Sequence, residues 1–156
     1  PQVVEAVKIP VIAAGGIADA RGMAAAMMLG ASAVQMGTRF VATKESSAHE
    51  NFKNAILQAS ATETMLMMKK HVPVRLLKNN FYQEIKGLED RCASEEELVS
   101  HLGHGRAKKG MLEGDLVNGE LEIGQIAGLI KDVPTVEELV QTIMNDYHKL
   151  SLPKFN

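Results

Sequence analysis

The chain has 156 residues, 46% of them hydrophobic, and a formal net charge of -2, which fits a globular segment with a core and excludes a disordered or collagen-like chain. Near-neutral charge without a basic block gives no reason to expect nucleic acid, and a single cysteine, Cys92, leaves no internal disulfide framework. No apolar run approaches the roughly 20 residues of a membrane span, and PQVVEAVK does not read as a signal peptide, so the expected location is cytoplasmic, with no membrane partner.

The chain opens at Pro1 without Met and reads as the middle of a larger unit. Residues 2–7, QVVEAV, carry apolar side chains at helical spacing. Ile9–Ala14, IPVIAA, reads as a strand buried on both faces, starting near Val11 because Pro10 suits a strand edge. Gly15–Gly16 close it. Asp19 is an N-cap for a helix through about Leu29, and Gly30 sits where a C′ glycine belongs. A second short strand, Ala31–Met36, ends at Gly37 and Thr38. Strand, glycine turn, helix, glycine and strand make a parallel β–α–β unit, with a repeat suited to a (β/α) barrel or an open parallel sheet.

Beyond Phe40 the alternation stops. His49–Ala59 is helical by periodicity, whereas Thr64–Lys70 and Val72–Asn79 are strand-like or mixed. Ser94–Glu97 forms a capping box, and RAKKGMLEGD continues the helical pattern. A glycine-punctuated loop spans Gly114–Gly128. A last helix opens at Thr135 with a second capping box to Glu138 and runs to about Tyr147, leaving residues 151–156 as a tail.

Gly15 and Gly16, taken alone, can be a structural turn. So can Gln35-Met36-Gly37-Thr38. Adjacent parallel strands, however, end side by side at the face where ligands bind, so both turns open onto one pocket. Their amides, with a helix N-terminus, can cradle a phosphate without lysine, and barrel enzymes build such cradles after their last two strands. Thr38 can add a hydroxyl donor, and one of Gln35 and Met36 faces the barrel interior.

These residues carry a family resemblance. IPVIAAGGIADARGMAAAMMLGASAVQMGTRF resembles the phosphate-binding segment of the nitronate monooxygenase (2-nitropropane dioxygenase) and enoyl-acyl-carrier-protein reductase II family, FMN-dependent enzymes on a TIM barrel. The likeness continues through ATKESSAHENFK, VPVRLLKN, EGDLVNGELEIGQIAGLI and the closing helix. It implies an α/β fold: the C-terminal part of a TIM (β/α)8 barrel with a smaller inserted α+β domain. Residues 1–43 are then barrel units with the FMN phosphate site, 44–115 an inserted lid, 116–150 the return to the barrel and the last helix, and 151–156 the tail. Gly15, Gly16, Gln35, Met36, Gly37 and Thr38 are implied to hold FMN, mainly its phosphate. Gln125 and Gly128 of GQIAGL are implied to lie on the substrate side, or to start a helix packed on the barrel.

Family members are much longer, and this chain resembles their C-terminal half. The histidine usually assigned to catalysis falls in the other half, so no catalytic residue is assigned. His49, His71, His101, His104 and His148 match no such motif and read as polar surface positions. No HExxH or CxxC spacing occurs, and no metal is assigned. Arg75 and Lys78 form a solvated edge or meet an anionic substrate. Glu122 and Ile123 stand where the family often has Met and Ala.

The implied activity is FMN-dependent oxidoreduction at flavin N5. One form passes electrons from an alkyl nitronate to oxygen; the other passes hydride from NAD(P)H to an acyl-carrier-protein thioester. A homo-oligomer is expected. The competing reading is a catalytically silent, phosphate-binding half-barrel that needs its other half. An isomerase or aldolase barrel fits poorly, because glycines and Thr38 occupy the strand ends where a carboxylate or Schiff-base lysine belongs.

Overall fold

The computed structural model describes residues 1–151; the expected tail from residue 152 onward lies outside them. Two small sheets organise the chain. In the first, β1 (Ile12–Ala14) and β2 (Ala33–Gln35) pair in parallel, with Ile12 opposite Ala33 and Ala14 opposite Gln35. Between them runs α2 (Ala20–Met28), preceded by α1 (Gln2–Ala6) at the start of the chain. Gly30, at φ +99°, ends α2 in the left-handed region, where a residue without a Cβ is least strained. After β2 comes a short helix, α3 (Thr38–Val41), which carries no expected counterpart.

The second sheet is a hairpin, β3 (Thr64–Met67) with β4 (Val74–Leu77), following helix α4 (Glu50–Gln58). A third segment joins β4 antiparallel through the bridge Leu76–Glu122, with Leu77 N donating to Leu121 O at 3.0 Å and Ile123 N to Arg75 O at 3.0 Å. Part of the expected Gly114–Gly128 loop is therefore a strand edge. Residues 80–92 carry no expected element, yet Asn80–Asp90 form α5. Its signals are local: Asn79 caps the helix by accepting from Tyr82 N at 2.9 Å, and Phe81 and Ile85 fall on one helical face. Helix α6 (Glu95–Leu102) has the expected capping box, but Gly103 at φ +64° ends it, and only a π-turn, Lys108–Leu112, follows. A 3₁₀ turn, Gln125–Leu129, leads to α7 (Val136–Lys149), which opens on the expected Thr135–Glu138 box and packs on α2. Among the described residues no helix is long and apolar enough to cross a membrane.

Alternation along β4 feeds two apolar clusters. Leu76 enters one with Met67, Met68, Phe81, Tyr82, Ile85 and Leu98. Leu77 enters the other with Phe52, Ile56, Leu121, Ile123, Ala127 and Ile130. The run Ile9–Ala14, expected as a strand buried on both faces, is not: Ile12 in β1 is 60% exposed, and Ile9, before the strand begins, 73%. The reason is geometric. A parallel strand is covered by further strands and by helices on both faces, and among the described residues the parallel sheet has two strands.

Candidate functional site

Because Ala14 lies opposite Gln35 in the parallel register, Gly15–Gly16 and Met36–Gly37 leave the sheet side by side at its C-terminal edge. Gly15 and Gly16 have φ +89° and +74°, a region that costs other residues roughly 1–2 kcal/mol each. Gly37, at φ -85° and ψ -69°, is under no such constraint. A Cβ added at any of the three meets no atom within 4 Å. Packing therefore does not account for glycine at these positions; what the three share is open space in front of the backbone. The amides of Gly16, Gly37 and Thr38 donate to no protein acceptor among the described residues.

One part of the expected cradle is corrected. The N-terminus of α2 is already filled, because the Asp19 carboxylate accepts from Arg21 N at 3.0 Å and Gly22 N at 3.1 Å. Hydrogen bonds from Arg21 and from the two amides hold that carboxyl below its ordinary range, outweighing its partial burial. A second anion at those amides would meet a carboxylate. The uncapped terminus is instead that of α3, whose N-cap Gly37 supplies no side chain.

Thr38 occupies the first position of α3, and its Oγ1 accepts from Gly124 N at 2.9 Å, joining β2's turn to the chain returning from the hairpin. Met36 lines a small apolar cavity of about 160 Å³ with Val34, Phe40, Val140, Ile143 and Met144. Alternation then puts Gln35, which is exposed, on the other face of the sheet. Gln125 is also exposed, at the start of the 3₁₀ turn. Gly128 is backed by the Ser60–Ala61 backbone, which a Cβ would approach to 2.9 Å.

Other candidates resolve into packing. His49 is the N-cap of α4: its Nδ1 accepts from Asn51 N at 3.1 Å, and the ring lies against Gly114. Lys78 is exposed, whereas Arg75 is half-buried and donates from Nη1 to Thr64 O and Oγ1, both at 3.1 Å. Sequence reasoning missed Arg39, whose buried guanidinium reaches Asp132 Oδ1 at 2.7 Å and so ties α3 to the loop before α7. It also missed Glu120, buried with its carboxyl pushed up to about 7 by burial and by Glu122, against the pull of Arg106. Arg39 carries no local signal because its partner lies 93 residues away; for Glu120 the nearby Glu122 is visible in the sequence, but the burial that dominates its shift is not.

A parallel strand–turn–helix–strand unit with an open edge at the ends of its strands defines the class: a portion of a (β/α) barrel. The chain belongs to the nitronate monooxygenase family, whose model matches residues 1–146. A probable nitronate monooxygenase of Staphylococcus saprophyticus is 39% identical over 114 residues, which cover 70% of this chain and 32% of that protein. The structure of FabK from Thermotoga maritima aligns with a TM-score of 0.87 and 41% identity, over 95% of this chain and 47% of that one. A nitroalkane oxidase structure from Streptomyces ansochromogenes aligns at 0.77 and 32%, over 95% and 42% respectively. The chain thus spans half or less of the length of these relatives, and it is part of a TIM barrel from a flavin-dependent oxidoreductase family.

Proposed function

We propose that this chain carries the phosphate-binding part of an FMN-dependent oxidoreductase. The observation that supports this most directly is the paired turn: three glycines whose missing side chains leave empty space, beside amides that have no protein acceptor among the described residues. A phosphate needs such an edge, because donated N–H groups stabilise its charge and a Cβ would stand in its place. Gly15, Gly16, Gly37 and Thr38 would hold the phosphate through backbone and hydroxyl. Gln35 and Met36 would fix the strand end that presents them. When bound, the flavin supplies two-electron chemistry at N5, and the protein positions it.

In this reading, residues 44–115 are a lid inserted between the cradle and the return at Gly124, with Gln125 and Gly128 on the substrate side. The substrate is an alkyl nitronate oxidised at the expense of oxygen, or an acyl-carrier-protein thioester reduced by hydride from NAD(P)H. Resemblance supports both. Exposed Ile12 on the strand that leads into the cradle, and exposed Ile9 just before that strand, favour one further statement: the chain by itself is silent and needs the complementary barrel half. The intact enzyme should be isolated with flavin absorbance. Anaerobic bleaching by NADH indicates the reductase, and oxygen consumption with an alkyl nitronate the monooxygenase. Protein free of flavin that cannot be reloaded with FMN would remove the proposal.

A further inference from the structure

We infer that Gly124 is a positioning residue for the cofactor site: by donating its amide to Thr38 Oγ1, it aims the Thr38 hydroxyl proton at the bound phosphate. The inference rests on the flavin reading above and adds to it a residue 86 positions from Thr38. A hydroxyl has one proton and can accept at its lone pairs. Here a lone pair is taken by Gly124 N at 2.9 Å, a part-buried contact. No protein acceptor among the described residues takes the proton. The contact also restricts χ1 of Thr38, a β-branched side chain with few rotamers to choose from. A Thr in the first turn of a helix beside three open glycines therefore has its acceptor side satisfied and its donor left over, and a donor suits an anion.

Gly124 has to be glycine for this. Its φ of -71° is ordinary, so backbone strain does not demand it. A Cβ there would stand 2.6 Å from Thr38 Oγ1, with Thr38 Cβ the next contact at 3.8 Å. The only close obstacle is the hydroxyl itself. Any side chain at this position pushes Oγ1 out of the direction the amide imposes. Through the same contact, the segment returning from the hairpin reaches the cradle, because Ile123 N is bonded to Arg75 O one residue earlier.

The test compares FMN with riboflavin on the intact enzyme, stripped of flavin and titrated with each. Loss of one hydrogen bond to a charged group weakens binding by roughly tenfold or more. Gly124→Ala should therefore weaken FMN about tenfold and leave riboflavin, which lacks the phosphate, unchanged. Thr38→Val should do the same, and Thr38→Ser should retain most FMN affinity. In the Thr38→Ala background the hydroxyl is gone, so adding Gly124→Ala should cost no further FMN affinity; this double variant also removes the clash and serves if Gly124→Ala alone folds poorly. Equal losses for both flavins, or Gly124→Ala binding FMN like the parent, would overturn the inference while leaving the flavin reading intact. A parent protein that binds riboflavin and FMN equally would end both.

Discussion

Gly37→Ala separates ligand binding from folding more cleanly than any other change in the proposed cradle. Gly16→Val would also fill the proposed phosphate space, but it forces a β-branched residue to φ +74°, so lost flavin could reflect a strained turn. Gly37 has φ -85° and ψ -69°, and a Cβ there meets nothing within 4 Å. Two small terms act on the flavin-free protein. Restricting the unfolded chain contributes about 0.4–1 kcal/mol in favour of alanine, and alanine is a poorer N-cap than glycine by an amount on the order of 0.5 kcal/mol. They nearly cancel, and the melting temperature should stay within about 3 °C of the parent. Bound phosphate feels the change differently. If the new methyl displaces it from two amides, two charge-assisted bonds at about 1.5 kcal/mol each are lost, roughly a hundredfold in Kd. Fluorescence titration of the apoprotein with FMN, alongside thermal unfolding of the same preparation, reads both quantities. An unchanged FMN Kd with an unchanged melting temperature would refute the cradle.

Glu120 gives a pH signature. Its carboxyl, raised in the fold to about 7 from 4.5, is accommodated protonated below the unfolded value, and stability is lost as pH rises through the folded one. Glu120→Gln should be close to neutral at pH 4 and stabilise the Leu121–Ile123 edge by on the order of 2–3 kcal/mol at pH 8; hydrogen-exchange protection of the Leu77 and Ile123 amides at both pH values checks this, and equal effects at the two would count against it. Asn79→Ala removes the α5 cap and the donor to Leu116 O at 3.0 Å and Gly119 O at 2.8 Å, and should cost about 2–3 kcal/mol in urea unfolding. Phe81, fully buried under the Arg106 guanidinium at 4.8 Å, should cost about 3–5 kcal/mol as Phe81→Ala; a loss under 1 kcal/mol would mean the second cluster repacks freely. Residues 1–156 expressed alone should self-associate through exposed Ile9 and Ile12, and a monodisperse monomer in analytical ultracentrifugation would contradict that.

The candidate site was legible in the sequence to the extent that it is built from backbone. Gly15, Gly16 and Gly37 could be found because a turn that leaves the backbone bare is written in one residue type. Gly124 could not, since its requirement comes from an oxygen 86 residues away in the chain. The helix α5 illustrates the opposite failure: Asn79, Phe81 and Ile85 are local signals, overshadowed by the strand-like run before them.

What the amino-acid sequence determined by itself is the set of features that act within a turn or two. Asp19, Ser94 and Thr135 start their helices because a side-chain oxygen meets amides two or three residues on, and Gly30 stops one with its own positive φ. Tertiary structure decided what those features face. It turned Met36 toward α7 and Gln35 away, split Leu76 and Leu77 between two cores, and brought Gly124 onto Thr38. Each of these depends on the distance between segments far apart along the chain, which no local pattern of residue types records.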